Sequence, residues 1–197
     1  MPEPVVLYRK KNAIATITLN RPDKANTLSF EVIDEMNDAL EDANRDTAVK
    51  VIVLEGAVDN FCGGHALGRD VQWVRDTYLS YVPKFMGLWR GSKPTIAKVH
   101  GYCVGGGSEL ALCADLVVAS DCARFGTPYA RVWGCHLTGM WVYRLGLAKA
   151  KYYALTGEWI SGKEAAEVEL INASHPREEL DNKVDALAKK LRQIPTT

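Results

Sequence analysis

His100-Gly-Tyr-Cys-Val-Gly-Gly-Gly-Ser-Glu-Leu-Ala-Leu-Cys-Ala-Asp115 runs from a loop of three consecutive glycines into an apolar segment, directly after the strand-like Pro94-Thr-Ile-Ala-Lys-Val99. Glycines ahead of a helix let the backbone take conformations closed to other residues and approach a ligand closely. The first N–H groups of such a helix have no intrahelical acceptor and carry the positive end of its dipole. That arrangement suits a phosphate or a developing oxyanion, and the same spacing also suits tight packing of a helix on a sheet. A nucleotide P-loop needs Lys-Ser/Thr after its last glycine, and Gly105-Gly-Gly-Ser108 lacks it. The dinucleotide pattern needs GxGxxG after a first strand, which is also missing.

Working outward, Val51-Ile-Val-Leu54 is a short, wholly apolar run, the mark of a strand buried on both faces in a parallel or mixed sheet. It leads into a second glycine loop, Phe61-Cys-Gly-Gly-His-Ala-Leu67. Two strands are predicted at Val5 to Arg9 and Ala13 to Leu19, the latter alternating Ile14, Thr16 and Thr18 against Ala15, Ile17 and Leu19. Asn20-Arg-Pro-Asp23 reads as a turn, and a helix capped by Ser29 follows with Val32, Ile33, Met36, Leu40 and Ala43 on its apolar face. Val71 to Trp89 is predicted helical with an interruption at Pro83. Gly101 to Gly107 is read as a loop, Ser108 to Cys113 as a short helix, and Leu116-Val-Val-Ala119 as another buried strand. From Thr138 onward the pattern is helical or irregular, closing with Glu178 to Leu191, which aligns Leu180, Val184, Leu187 and Leu191. This alternation predicts one α/β domain with a helical C-terminal part.

Composition narrows the partners. The 197 residues balance 24 Lys and Arg against 24 Asp and Glu, so no net charge draws the chain to nucleic acid or an acidic membrane. No apolar run reaches the roughly 20 residues that span a bilayer, and the N-terminus lacks a signal-peptide pattern. Five cysteines scattered through apolar segments read as reduced, buried thiols, and a cytoplasmic location is expected. Cys62 and His65 have ligand-like spacing without a second pair, so no metal site is expected.

The ordered set Asn20-Arg-Pro-Asp-Lys-Ala-Asn26, Val51 to Gly56, Phe61-Cys-Gly-Gly-His65, Lys93-Pro-Thr-Ile-Ala97, Gly101 to Ala111 and Ala114-Asp115 resembles the enoyl-CoA hydratase/isomerase (crotonase) family. Phe125-Gly126, Leu155-Thr-Gly157 and Glu164-Ala165 continue the match in order. The resemblance covers nearly the whole chain and implies a crotonase-like spiral of ββα units followed by helices. It implies an acyl-CoA substrate, with coenzyme A as part of that substrate and no prosthetic group. It also implies a homotrimer or a dimer of trimers.

By the same resemblance, the backbone N–H groups of His65 and Gly106 form an oxyanion hole for the thioester, and Glu109 is the acid/base that handles water. The His65 imidazole is read either as a packing group or as a substrate contact. Without the family, Glu109 is a first-turn glutamate that suits the helix dipole. Coenzyme A contacts fall on Lys24, Ala25, Asn26, Ala66 and Leu67; an exposed lysine such as Lys24 is otherwise simply solvated.

Departures from the family pattern matter equally. A second catalytic glutamate is expected after Phe125-Gly-Thr-Pro128, and Tyr129 stands there instead. With an ordinary pKa near 10, a tyrosine is a poor base at neutral pH, so it is either a buried side chain or a proton donor. Ala66 replaces a frequent aspartate, and Cys135-His-Leu-Thr-Gly-Met-Trp-Val-Tyr143 replaces a glycine-rich turn with bulk that reshapes the acyl pocket. The 67–82 stretch is short for the family's substrate loop, and helices usual beyond residue 197 are expected to be missing. The leading expectation is hydration of a 2-enoyl-CoA. Isomerisation, decarboxylation or thioester hydrolysis on the same oxyanion hole stays open, as does a non-catalytic acyl-CoA-binding or scaffold role.

Overall fold

The computed structural model describes residues 3–65, 71–128 and 139–194, with only the backbone for 71–78. The strands are β1 (Val6–Lys11), β2 (Ile14–Leu19), β3 (Val51–Gly56), β4 (Thr95–Val99), β5 (Tyr102–Val104), β6 (Leu116–Ser120), β7 (Arg124–Gly126), β8 (Trp159–Ser161) and β9 (Ala173–His175). The helices are α1 (Phe30–Arg45), α2 (Val71–Arg90), α3 (Gly106–Leu112), α4 (Gly139–Leu145), α5 (Leu147–Thr156), α6 (Gly162–Glu167) and α7 (Arg177–Leu191).

Six strands form one sheet in the order β1-β2-β3-β4-β6-β9, and β5-β7-β8 form a smaller one. Only β1/β2 and β7/β8 run antiparallel; the remaining pairs are parallel. The large sheet is covered on both faces, as the apolar run at 51–54 requires. Ile52, Leu54, Ala97, Val99, Val117 and Ala119 join the main core with α1 and α3. Val51, Val53, Ile96 and Val118 pack instead against Leu180, Val184 and Ala188 of α7. Period-2 alternation in β2 and period-3.6 patterning in α1 and α7 carry through to burial. Ser29 caps α1 by accepting from Val32 N at 3.3 Å.

Three expectations change. Pro83 lies inside a continuous α2 and does not interrupt it. Its ring is exposed, as is Leu79 one turn earlier, so water can meet the carbonyl that proline leaves without a donor. The loop expected at 101–107 contains β5, and the helix expected at Ser108 begins at Gly106. The C-terminal part, read as helical or irregular, contributes β8 and β9. Each of these strands is three residues long, too short for a period-2 signal, and pairs with a partner distant in sequence. Among the described residues, no helix is long and apolar enough to cross a membrane.

Candidate active site

The two glycine loops lie side by side. Cys62 pairs with Cys103 as an isolated parallel bridge: Cys62 N–H donates to Tyr102 O at 2.8 Å, and Val104 N–H donates to Cys62 O at 3.0 Å. This close approach requires glycine. A side chain on Gly64, whose φ is +99°, would press on Val104 O at 2.9 Å and reach 3.7 Å from Gly106 N. One on Gly107 would meet the Cys62 carbonyl at 2.6 Å. Gly64, the residue bonded to His65 N, therefore packs next to Gly106 N, at the first position of α3, where no intrahelical acceptor exists.

Glu109 lies three residues beyond Gly106, on the same face of α3. It is half-buried, and its Oε2 accepts from Met140 N–H at 3.3 Å. Helix α4 holds α3 along its length. Trp141 Nε1 donates to Ser108 Oγ at 3.0 Å, and Ser108 Oγ donates to Gly105 O at 2.8 Å. At the other end Arg144 donates to Leu112 O at 3.1 Å and to Ala114 O at 2.6 Å, satisfying carbonyls the helix end leaves open. Asp115 completes the frame: its Oδ2 accepts from Thr95 N–H and Thr95 Oγ, and its own N–H donates back to Thr95 Oγ.

The loop expected to meet coenzyme A is stitched to the first glycine loop. Gly63 N–H donates to Ala25 O and Leu28 N–H to Gly64 O, both at 2.8 Å. Inside the loop the N–H groups of Lys24, Ala25 and Asn26 donate to Arg21 O, Pro22 O and Arg21 O. What remains for a ligand is carbonyl acceptors and the exposed Lys24 ammonium. Asn26 itself is buried, its side chain accepting from Arg21 N–H and donating to Ala57 O and Asn60 O.

Glu109, His65 and Gly106 are thus brought together, with Lys24, Ala25 and Asn26 joined to them through Gly63 and Gly64. Ala66, Leu67 and Tyr129 lie outside the described residues. Among the described residues, no group of three or more His, Cys, Asp or Glu side chains gathers as a metal site. Cys62, Cys103 and Cys113 are buried thiols, and burial pushes all three well above the usual thiol range. Sequence reasoning missed Trp141 and Arg144 as the clamps on α3. Their partners lie about thirty residues away, and neither sits in a motif with a fixed spacing to α3.

Residues 9–197 match the enoyl-CoA hydratase/isomerase family profile. The chain belongs to the enoyl-CoA hydratase/isomerase family. It is 34% identical over 191 residues to the mitochondrial enoyl-CoA hydratase of Pongo abelii, covering 92% of this chain and 64% of that protein. It is 32% identical over 194 residues to the hydroxycinnamoyl-CoA hydratase-lyase of Pseudomonas fluorescens, covering 92% and 70% respectively. A crystal structure of an enoyl-CoA hydratase from Mycobacterium smegmatis superposes with a TM-score of 0.91 at 31% identity, covering 99% of this chain and 74% of that one. The fold is therefore the crotonase fold, and the chain spans about two thirds of the length of the curated relatives named here.

One site residue departs in its titration. Burial pushes the His65 imidazole down to about 4. An unfolded chain has it near 6.5, so between these values the unfolded state takes up a proton that the folded state refuses. Stability then rises with pH across this window and is lost as pH falls from about 6.5 toward 4. His65→Phe keeps a ring and removes the titration. Going from pH 7 to pH 5, the wild type is expected to lose about 2 kcal/mol more unfolding free energy than this variant. Urea unfolding at the two pH values measures the difference, and parallel pH dependence would contradict the assignment.

Proposed function

We propose that this chain adds water to the double bond of a 2-enoyl-CoA thioester. The observation that supports the reading is the packing of Gly64, the residue bonded to His65 N, next to Gly106 N at the first position of α3, with Glu109 one turn further along the same helix face. The thioester carbonyl accepts from both N–H groups. Glu109 takes a proton from water as the water oxygen bonds to the β-carbon. The electron pair of the double bond moves through the α-carbon onto the carbonyl oxygen, forming an enolate held by the two donors. Glu109 returns the proton to the α-carbon, so one carboxylate delivers both halves of a single water. Each such donor typically contributes about 2.7–4 kcal/mol to transition-state stabilisation.

For the coenzyme, the Asn26 carbonyl, which accepts no backbone N–H among the described residues, suits the adenine amine, a donor. So do the second lone pairs of Lys24 O and Ala25 O, which already accept from Thr27 and Gly63 N–H; the Lys24 ammonium suits a phosphate. By the family resemblance, Ala66 and Leu67 are further coenzyme contacts. The chain assembles as a trimer or a dimer of trimers and works in the cytoplasm.

A second reading rests on Tyr129, which stands where hydratases carry a second glutamate. It keeps the oxyanion hole and turns it to isomerisation, decarboxylation or thioester hydrolysis. The test follows the conjugated enoyl absorbance of crotonyl-CoA alongside release of free coenzyme A thiol. Absorbance loss without thiol release is expected. Thiol release without hydration moves the assignment to a hydrolase, and coenzyme A binding without turnover across an acyl-CoA panel leaves a binding protein.

A further inference from the structure

The His65 side chain points at the site from an unusual direction. A Cβ built on Gly106 would collide with His65 Nε2, Cδ2 and Cε1, so the edge of the imidazole lies flat on the Gly106 α-carbon. The ring is fixed there by aromatic neighbours from α2. It stacks on Tyr81 with centroids 4.9 Å apart and an interplanar angle of 23°, and its plane is parallel to that of Phe85, at 6.2 Å and 1°. Phe30 closes edge-on against Tyr81 at 5.1 Å. Tyr81 and Phe85 are buried, so this stack cannot swing aside without opening the core.

Among the described residues no hydrogen bond explains the imidazole. Its Nδ1 is buried without a hydrogen-bond partner among the described residues, and what holds the ring is stacking and contact with Gly106. A packing role alone would be served by an apolar ring with no polar atom to desolvate. The ring also covers the face of α3 that presents Glu109, because Gly106 and Glu109 are three residues apart and therefore neighbours on that face. A group that bonds to Gly106 N–H and reacts beside Glu109 must pass the imidazole edge. The coenzyme loop joins one edge of the first glycine loop, through Gly63, Gly64 and the Leu28–His65 bridge, while the ring lies over Gly106 on the opposite edge, where α3 begins.

We infer that the His65 imidazole, backed by Tyr81 and Phe85, is a wall of the acyl pocket that restricts the enzyme to short, unbranched acyl groups. This rests on the acyl-CoA reading above and specifies its substrate class. The wall is a specificity device: the reacting atoms meet the His65 backbone N–H, which any residue supplies, while the side chain sets how much acyl chain fits beyond the β-carbon. Replacing the ring by a methyl group leaves the backbone donor and vacates the ring's volume next to Gly106.

The experiment compares wild type and His65→Ala on crotonyl-CoA and trans-2-decenoyl-CoA, with calorimetric binding of butyryl-CoA and decanoyl-CoA in parallel. The wild type is expected to favour the four-carbon substrate. In the variant the kcat/KM ratio of long to short chain should rise by about tenfold or more, the scale on which a pocket discriminates hydrocarbon bulk. The affinity ratio for the saturated pair should move the same way. An unchanged ratio in both measurements, within twofold, overturns the wall. If neither protein hydrates either substrate and the affinity ratio still shifts, the hydratase reading falls and the wall stands. If hydration is robust and neither ratio moves, the wall falls and the hydratase reading stands. If no acyl-CoA binds at all, both are overturned. His65→Phe covers the case in which alanine unfolds the stack: it retains the bulk and should retain the short-chain preference, and its loss there also counts against the wall.

Discussion

Glu109→Gln is expected to lower kcat for crotonyl-CoA hydration by about 10²- to 10⁴-fold, the usual contribution of a positioned acid/base group. The substitution is a clean one. Glutamine has the same length and keeps an oxygen that can accept from Met140 N–H of α4. Ser108, Trp141 and Arg144 continue to hold α3, so Gly106 N–H stays where it was. What is lost is the capacity to take a proton from water. KM should change little, because the proposed oxyanion-hole donors, His65 and Gly106 N–H, and the proposed coenzyme loop are untouched. Steady-state kinetics with a melting curve on the same preparation separates this from misfolding. A loss below tenfold in a normally folded variant would remove Glu109 from its role.

Asn26→Ala is expected to cost about 3–5 kcal/mol of folding stability, the second large effect. The side chain is 1% exposed and makes three hydrogen bonds, accepting from Arg21 N–H at 2.8 Å and donating to Ala57 O at 3.0 Å and Asn60 O at 2.7 Å. Alanine abandons all three partners. Each buried polar group left without a bond costs about 1–3 kcal/mol, less whatever water can recover. The backbone adds to this, since Asn26 has φ +54°, in the left-handed region that asparagine tolerates better than alanine. Against a typical stability of about 5–15 kcal/mol the change is severe. Urea unfolding midpoints measure it, and a loss under 1 kcal/mol would contradict the account. Asn26→Asp should also destabilise strongly, because it keeps the acceptor for Arg21 and turns a carboxylate toward two carbonyls.

The two variants separate two kinds of residue within one recognisable pattern. Several matched segments serve the fold rather than the chemistry. Asp115 ties the end of α3 to β4, and Ser161 with Glu164 forms a reciprocal cap on α6. Gly157 ends α5 with φ +63°. Asn26 was expected at the coenzyme contact, yet its side chain and its N–H are consumed inside the protein, leaving only its backbone carbonyl to a ligand. The resemblance identified these positions without distinguishing scaffold from site, because both depend on the same residue type at the same spacing.

Periodicity carried the long elements. Strand β2 and helices α1 and α7 follow from the spacing of apolar residues, since each buries a face whose period is a property of the chain itself, and β3 follows from its unbroken apolar run, which both faces of the sheet bury. The short elements β5, β7, β8 and β9 did not, because three residues form a strand only when a partner from elsewhere supplies the hydrogen bonds. The continuous α2 through Pro83 was equally invisible, since its tolerance depends on which side of the helix meets water.

At the site, the chain alone determined the parts: two glycine loops each preceded by a buried strand, and a glutamate three residues after Gly106. These are local facts, settled by glycine's backbone freedom and by helical repeat. Tertiary structure decided how the parts face one another. Only folding brings Cys62 alongside Cys103, turns the His65 ring onto Gly106, and sets Met140, Trp141 and Arg144 against α3. Those contacts join residues some thirty to forty positions apart, and no local preference encodes them. They exist because the sheet buries its faces and every polar group drawn inside must find a partner.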